Sequence, residues 1–216
     1  MLFRSKFAEI YSPYLPPQVN IQNDGTIKAM KMDIHYKKRK EGDIIILSGD
    51  FQGITPESQY QLSEESIRFC KKFGLKRVYT LGGLGTGNIV KTPKVFGAAT
   101  NKKLVKEHEK YGVEFRGGGA IFGASGLLLA FAMREEIDAV CLMGETHGQI
   151  IDAKSAEAVL NVLTKVLGLK IEMNKLEEKA KETEKQMSHL SKMISAYQKM
   201  EERQNKMSDE FPSYIR

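Results

Sequence analysis

Read from its first residue, the chain keeps one kind of pattern up to Gly168 and another after it. In the first part, short apolar runs alternate with segments of helical periodicity, separated by turns that carry Gly or Pro. Residues 43–47 (Asp-Ile-Ile-Ile-Leu) form a continuous apolar run of strand length, the signature of a strand covered on both faces. Thr55-Pro56 then offers an N-cap with Pro at the first helical position, and Leu62, Phe69, Cys70 and Phe73 share one helical face before Gly74 stops it. Residues 77–81 (Arg-Val-Tyr-Thr-Leu) read as a second strand. Strand, helix and strand in such close succession predict a crossover unit, with strands 43–47 and 77–81 paired in parallel. Further strands are expected over 95–100 and 139–143, and helices over 102–111, 125–133 and Ala153–Leu167. The last of these is capped by Asp152 and ended by Gly168. Residues 27–36 alternate with one slip, which predicts an edge or hairpin strand. The pattern as a whole is α/β, with helices on both faces of the sheet.

From Leu169 onward there is no glycine, and Pro212 is the only proline. Met173, Leu176, Ala180, Thr183, Met187, Leu190, Ile194 and Tyr197 follow one another at spacings of 3, 4, 3, 4, 3, 4 and 3. That is a heptad seam, weak at Ala180 and Thr183 and strong from Met187 to Tyr197. Glu177, Glu178, Lys179, Lys181, Glu182, Glu184 and Lys185 lie off the seam. A helix over 172–206 would run about 50 Å, enough to project from a body of this size. Met173, Met187, Met193, Met200 and Met207 give the segment an unbranched, adaptable apolar surface. The seam therefore predicts a partner-binding helix whose contacts are Met173, Leu176, Met187, Leu190, Ile194, Tyr197 and Met200. Self-association as a coiled coil and folding back onto the body are the competing fates for the same stripe. The expected organisation is an α/β body over 1–168, a projecting amphipathic helix over 169–207 and a flexible tail over 208–216.

Composition narrows the class. The 216 residues are 41% hydrophobic, which supports a core and excludes wholesale disorder. No apolar run is long enough to span a bilayer, and no secretory signal opens the chain, so a cytoplasmic protein without membrane contact is expected. Cys70 and Cys141 sit in apolar stretches without metal spacing and read as reduced core thiols. The net charge of +6 comes without a basic block, and no nucleic-acid partner is expected.

Three polar or glycine-rich turns follow the clearest strands: 48–50 (Ser-Gly-Asp), 82–87 (Gly-Gly-Leu-Gly-Thr-Gly) and 144–148 (Gly-Glu-Thr-His-Gly). In a parallel sheet these turns would share one edge, bringing Asp50, Glu145 and His147 near the glycine loop for acid–base chemistry or metal binding. Against this, the loop is neither GxGxxG nor GxxxxGK[ST], and Asn88 to Pro93 offers no helix start to a phosphate. Glycines that permit turns and close packing explain it as well. Gly117–Gly119 reads as a tight turn into a buried segment, and His35, His108 and His189 stand alone. No cofactor and no metal are expected.

Five segments together resemble a known family. They are 11–17 (Tyr-Ser-Pro-Tyr-Leu-Pro-Pro), 45–50 (Ile-Ile-Leu-Ser-Gly-Asp), 79–83 (Tyr-Thr-Leu-Gly-Gly), 119–129 (Gly-Ala-Ile-Phe-Gly-Ala-Ser-Gly-Leu-Leu-Leu) and 141–146 (Cys-Leu-Met-Gly-Glu-Thr). In order and spacing they resemble the proteasome assembly chaperone family, in particular its archaeal B-type members. The resemblance implies a three-layer αβα body similar to purine nucleoside phosphorylases, without known catalysis, carrying a long C-terminal helix. It also implies homo-oligomers, tetramers favoured, that bind proteasome α-subunits or unfolded and partly folded proteins without ATP. Two features depart from the family pattern. Its members usually open with a strand and a Gly-rich turn, whereas here Met1 stands just upstream of Tyr11. Either the chain is truncated or another element completes the sheet. Proteasome activators often end in hydrophobic–Tyr–any residue, whereas here Ser213 precedes Tyr214 and two residues follow it. Docking is therefore expected through the helix rather than the tail. The alternative from another class is a small-molecule enzyme of nucleoside-phosphorylase type at the strand-end edge, and a third reading is a purely structural coiled-coil oligomer.

Overall fold

The structure is a computed structural model that describes residues 5–88, 90–149, 152–171 and Glu178. In chain order the elements are β1 (Ser5–Ile10), β2 (Val19–Ile21), β3 (Ile27–Ala29), β4 (Met32–Lys37), β5 (Ile44–Gly49), α1 (Pro56–Lys71), β6 (Arg77–Gly85), β7 (Val95–Ala99), α2 (Lys102–Glu109), β8 (Val113–Phe115), α3 (Ala124–Arg134), β9 (Asp138–Thr146) and α4 (Ala153–Leu167).

The centre of the molecule is β9. Ala139, Val140, Cys141 and Leu142 are all 0% exposed, because successive side chains point to opposite faces and both faces are covered. Ala139 and Cys141 pack with Ile67 of α1 and with Leu129, Phe131 and Ala132 of α3. Val140 and Leu142 pack with Leu104 of α2 and with Val159 and Val162 of α4. The four-stranded sheet has the order β6-β9-β7-β8, with β6 parallel to β9, β7 antiparallel to β9 and β8 parallel to β7. It is thus flanked by α1 and α3 on one face and by α2 and α4 on the other.

The expected parallel pairing of strands 43–47 and 77–81 does not form. β5 ends an antiparallel three-stranded sheet of order β1-β4-β5, while β6 ends the other sheet. The reason lies in the connecting helix. The face of α1 that carries Leu62 and Phe69 serves the first sheet: Leu62 packs with Leu15 and Met30, and Phe69, with Phe73 just past the helix end, meets the Phe7 ring of β1. The nearly opposite face, carrying Tyr60 and Ile67, packs on α3. A helix with two apolar flanks lies over the junction of two sheets, whereas the crossover rule assumes one.

The expected strand over 27–36 is also divided. It breaks after Ala29, so that β3 pairs with β2 in a separate two-stranded ribbon, while β4 becomes the central strand of the first sheet rather than an edge. Ile34, 1% exposed, anchors β4. The β2–β3 turn is built by Gly25 at φ 82° and by Asp24, whose carboxylate accepts from the Thr26 amide at 3.0 Å and from its hydroxyl. Those bonds hold the Asp24 carboxyl below its ordinary value.

The helix boundaries follow local chemistry. Thr55 and Ser58 form a reciprocal capping box at the start of α1, Asn101 caps α2 and Asp152 caps α4. Gly168, at φ 62°, closes α4 in the left-handed conformation. Helix α3 starts at Gly123 without a side-chain cap of its own, and Gln52 of the β5–α1 connection accepts from the Ala124 amide at 3.0 Å instead. On the far side, the Arg39 guanidinium in the β4–β5 turn donates to the Leu167 carbonyl at 2.9 Å, tying the first sheet to the end of α4.

Candidate functional site

The glycine-rich stretch expected to be a loop is strand. Gly82, Gly83 and Gly85 belong to β6 and pair along β9, with Leu84 opposite Glu145 and Gly85 opposite Thr146. The Thr86 amide extends the ladder by donating to the Thr146 carbonyl at 2.8 Å. The glycines serve packing here. A Cβ on Gly144 would stand 2.3 Å from Ser155 Oγ, so its absence lets α4 approach the sheet.

The residues Asp50, Glu145 and His147 come from the ends of strands in two different sheets. Asp50 follows β5 in the other sheet and pairs with Lys28 at 3.0 Å. Glu145 continues the β7–β9 ladder: its amide donates to the Lys94 carbonyl at 2.8 Å, and its carboxylate accepts from the Lys94 amide at 3.4 Å. His147 lies just past β9, its Nδ1 buried without a hydrogen-bond partner, as is Thr146 Oγ1. No bond or ion pair among the described residues joins Asp50 to either partner. The parallel edge that was to collect all three turns contains only two of them, because β5 belongs elsewhere. Among the described residues no cluster of His, Cys, Asp and Glu is arranged to hold a metal ion.

Two polar clusters invisible in the sequence are structural. His108, expected to stand alone, is 0% exposed. Its Nδ1 lies 2.7 Å from the Leu104 carbonyl, which places the proton on Nδ1 and leaves Nε2 to accept from the Tyr79 hydroxyl at 3.2 Å. Burial pushes the Tyr79 phenol above its ordinary value, opposed by the neighbouring Arg77. Arg77 also pairs with Glu107 at 2.6 Å and Asp138 at 3.3 Å, locking α2 to the start of the parallel pair. The second cluster surrounds a cleft of about 270 Å³ between α1 and α3, with Ile67 and Phe131 among its lining. Its charges are all engaged: Lys71 with Glu135 at 2.6 Å, Arg134 with Glu64, and Arg68 with Glu65 at 2.8 Å. Lys71 holds the Glu135 carboxyl below its ordinary value. A closed network of this kind staples two helices and offers a ligand no free charge.

The loop before α3 differs from expectation too. Gly118, Gly119 and Gly123 adopt positive φ, but the segment they frame is not buried, and Phe122 is 88% exposed. Both cysteines are free, Cys141 inside the core and Cys70 half-buried, and burial raises both thiols above their ordinary value. No helix among the described residues is long and apolar enough to cross a membrane. The expected partner-binding residues, Met173, Leu176, Met187, Leu190, Ile194, Tyr197 and Met200, lie outside the described residues, as does His189.

This pair of sheets and its helices have counterparts among known proteins. The model of the PAC2 family matches residues 4–191. The chain belongs to the PAC2 family. The match covers both sheets and continues through Met173, Leu176, Met187 and Leu190 of the heptad segment. The uncharacterized protein MJ1210 of Methanocaldococcus jannaschii is 40% identical over 188 residues, spanning 87% of this chain and 72% of the relative. Among solved structures, Pyrococcus furiosus PbaB, described as an archaeal proteasome activator, superposes with a TM-score of 0.79 at 35% identity, covering 87% of this chain and 82% of PbaB. Pyrococcus furiosus PbaA, described as an archaeal homolog of proteasome-assembly chaperone, superposes with a TM-score of 0.74 at 27% identity, covering 98% of this chain and 84% of PbaA. The PAC2 fold thus accounts for the paired sheets and for the resemblance of the five sequence segments.

Proposed function

We propose that this PAC2 protein is an ATP-independent chaperone of proteasome assembly. Copies of the chain associate, and the segment 169–207 presents Met173, Leu176, Met187, Leu190, Ile194, Tyr197 and Met200 to proteasome α-subunits or to partly folded proteins. The observation that carries the reading is the 35% identity to PbaB across 87% of the chain. The sequence supports it independently, because a heptad stripe rich in methionine suits apolar surfaces of varied shape. The enzymatic alternative has less support, since β5, which Asp50 follows, belongs to a different sheet from β9, which carries Glu145 and precedes His147.

The test is capture of recombinant proteasome α-subunits by the full chain beside a form ending at Gly168. The full chain should retain them and the shortened form should not. Equal retention by the two forms would remove the helix from the mechanism, and no retention by either would remove the α-subunit as partner. Turnover assays with nucleosides and phosphate should give no product.

A further inference from the structure

The β2–β3 ribbon turns its polar face to the body and its apolar face to water. Val19 pairs with Ala29 and Ile21 with Ile27, which puts these four side chains on one face. Asn20 pairs with Lys28, and these two occupy the other face. Asn20 is the one residue of the two strands that is not exposed, and Lys28 pairs at 3.0 Å with Asp50, just past the end of β5. On the apolar face Val19 is 51%, Ile21 77% and Ile27 69% exposed. A core lies within reach: Met30, next after Ala29, is buried with Leu15 and Leu62. These contacts hold the base of the ribbon, and the bonds of Asp24 to Thr26 hold its tip. A two-stranded ribbon in water ordinarily needs an apolar face covered to be stable. This one is fixed at both ends and leaves that face open.

We infer that the outward face of the β2–β3 ribbon docks a short apolar segment of a partly folded polypeptide. This rests on the chaperone reading for the source of the segment. Size selects the occupant. With those exposures the face offers on the order of 400 Å² of apolar surface, about half of the ~800 Å² that each partner brings to a stable interface. Two copies joined face to face here would therefore part readily. A segment a few residues long needs no more: two strands ~4.8 Å apart, each contributing two side chains, match three or four apolar side chains laid across them. The chemistry selects in the same direction. Val19, Ile21, Ile27 and Ala29 carry no charge and no side-chain hydrogen-bonding group, and the nearest ribbon cation, Lys28, is engaged on the opposite face. A polar or charged sequence would lose water here and gain no bond, whereas an apolar one gains burial. An exposed patch of this extent on an otherwise polar ribbon is the kind of surface that serves binding.

The test uses the full chain and a fluorescein-labelled peptide, Glu-Gly-Leu-Ile-Phe-Ile-Leu-Gly-Glu, followed by fluorescence anisotropy. Saturable binding is expected, and none for the same peptide with Ser at its five apolar positions. Ile21→Glu combined with Ile27→Lys puts an opposite-charge pair where the apolar pair stood, which keeps a cross-strand contact while removing the apolar face. This double variant should bind at least tenfold more weakly. Val19→Ser and Ile27→Ser, milder changes on the same face, should each weaken binding at least threefold, with circular dichroism confirming that every variant is folded. Phe122→Ser removes an apolar side chain that is 88% exposed elsewhere, and should change binding less than twofold. Undiminished binding by the ribbon variants overturns the inference, as does absence of binding to the unaltered chain. If light scattering shows a smaller particle for the double variant, a second copy covers the face and the inference fails. A chain that binds the peptide through the ribbon yet retains no α-subunit would lose its proposed partner and keep this surface, so the two failures are distinguishable.

Discussion

Leu142 and Tyr79 show two ways in which single side chains hold this body together. Leu142 is fully buried between β9, α2 and α4, and its replacement by Ala should cost about 2–5 kcal/mol, depending on how far the site collapses. Urea unfolding followed by circular dichroism measures this. Tyr79 acts through one hydroxyl, which satisfies the Nε2 of a histidine that water does not reach. Tyr79→Phe should therefore cost about 1–3 kcal/mol, the penalty of leaving a buried acceptor unpaired, although it removes a single oxygen. Glu9 gives a pH signature. Its carboxylate is bonded by Lys31, Lys6 and Tyr11, in that order of effect, which hold its pKa at about 2. The usual glutamate value is about 4.3. Because the folded value is depressed, the stabilisation is fully present above the unfolded value and is lost as pH falls through that window toward the folded one. Glu9→Gln should flatten this part of the acid unfolding profile by lowering stability at neutral pH and leaving it unchanged at the acid end, an effect kept small because the group is on the surface.

At the scale of elements, the features legible in the sequence were those that depend on neighbours in the chain. The caps at Thr55 and Asp152, the stop at Gly168 and the apolar run of β9 are local, and each stands where the pattern placed it. Sheet membership is not local. The run at 43–47 reads as an interior strand, and nothing in it says that α1 will lead away to a different sheet. The same gap bears on the candidate site, because grouping Asp50 with Glu145 and His147 assumed one continuous parallel edge, and β5 and β9 lie in different sheets. β1 was missed because Ser5, Lys6 and Glu9 interrupt its apolar positions, and β8 because it has only three residues. The double role of α1 makes a prediction at this scale. Leu62→Ala should lower hydrogen-exchange protection in β4, and Ile67→Ala should lower it in α3, because the two side chains face different partners. Equal loss in both regions from either change would mean that the helix transmits strain as a single unit.

For the whole molecule, the change of sequence pattern at Gly168 sets up a prediction about shortening: among the described residues, the core clusters draw on none later than Val166. A chain ending at Gly168 should keep its cooperative thermal transition within a few degrees of the full chain. Light scattering of the two forms should report a smaller assembly for the shorter one if the heptad segment joins copies. The family was legible at this scale from five separated segments, because a fold that must pack glycines such as Gly83 and Gly144 against neighbouring atoms tolerates few substitutes there.

The bond from Arg39 to the Leu167 carbonyl bears on all of this through leverage. It fastens the root of the C-terminal segment, at the very end of α4, to a hairpin turn far away in sequence. Were the proposed helix over 169–207 to continue from this base, a small rotation here would become a large sweep at its tip. Arg39→Ala would free that base to pivot, so distances between spin labels on the body and at Tyr197 should broaden in the variant, even where overall stability is unchanged.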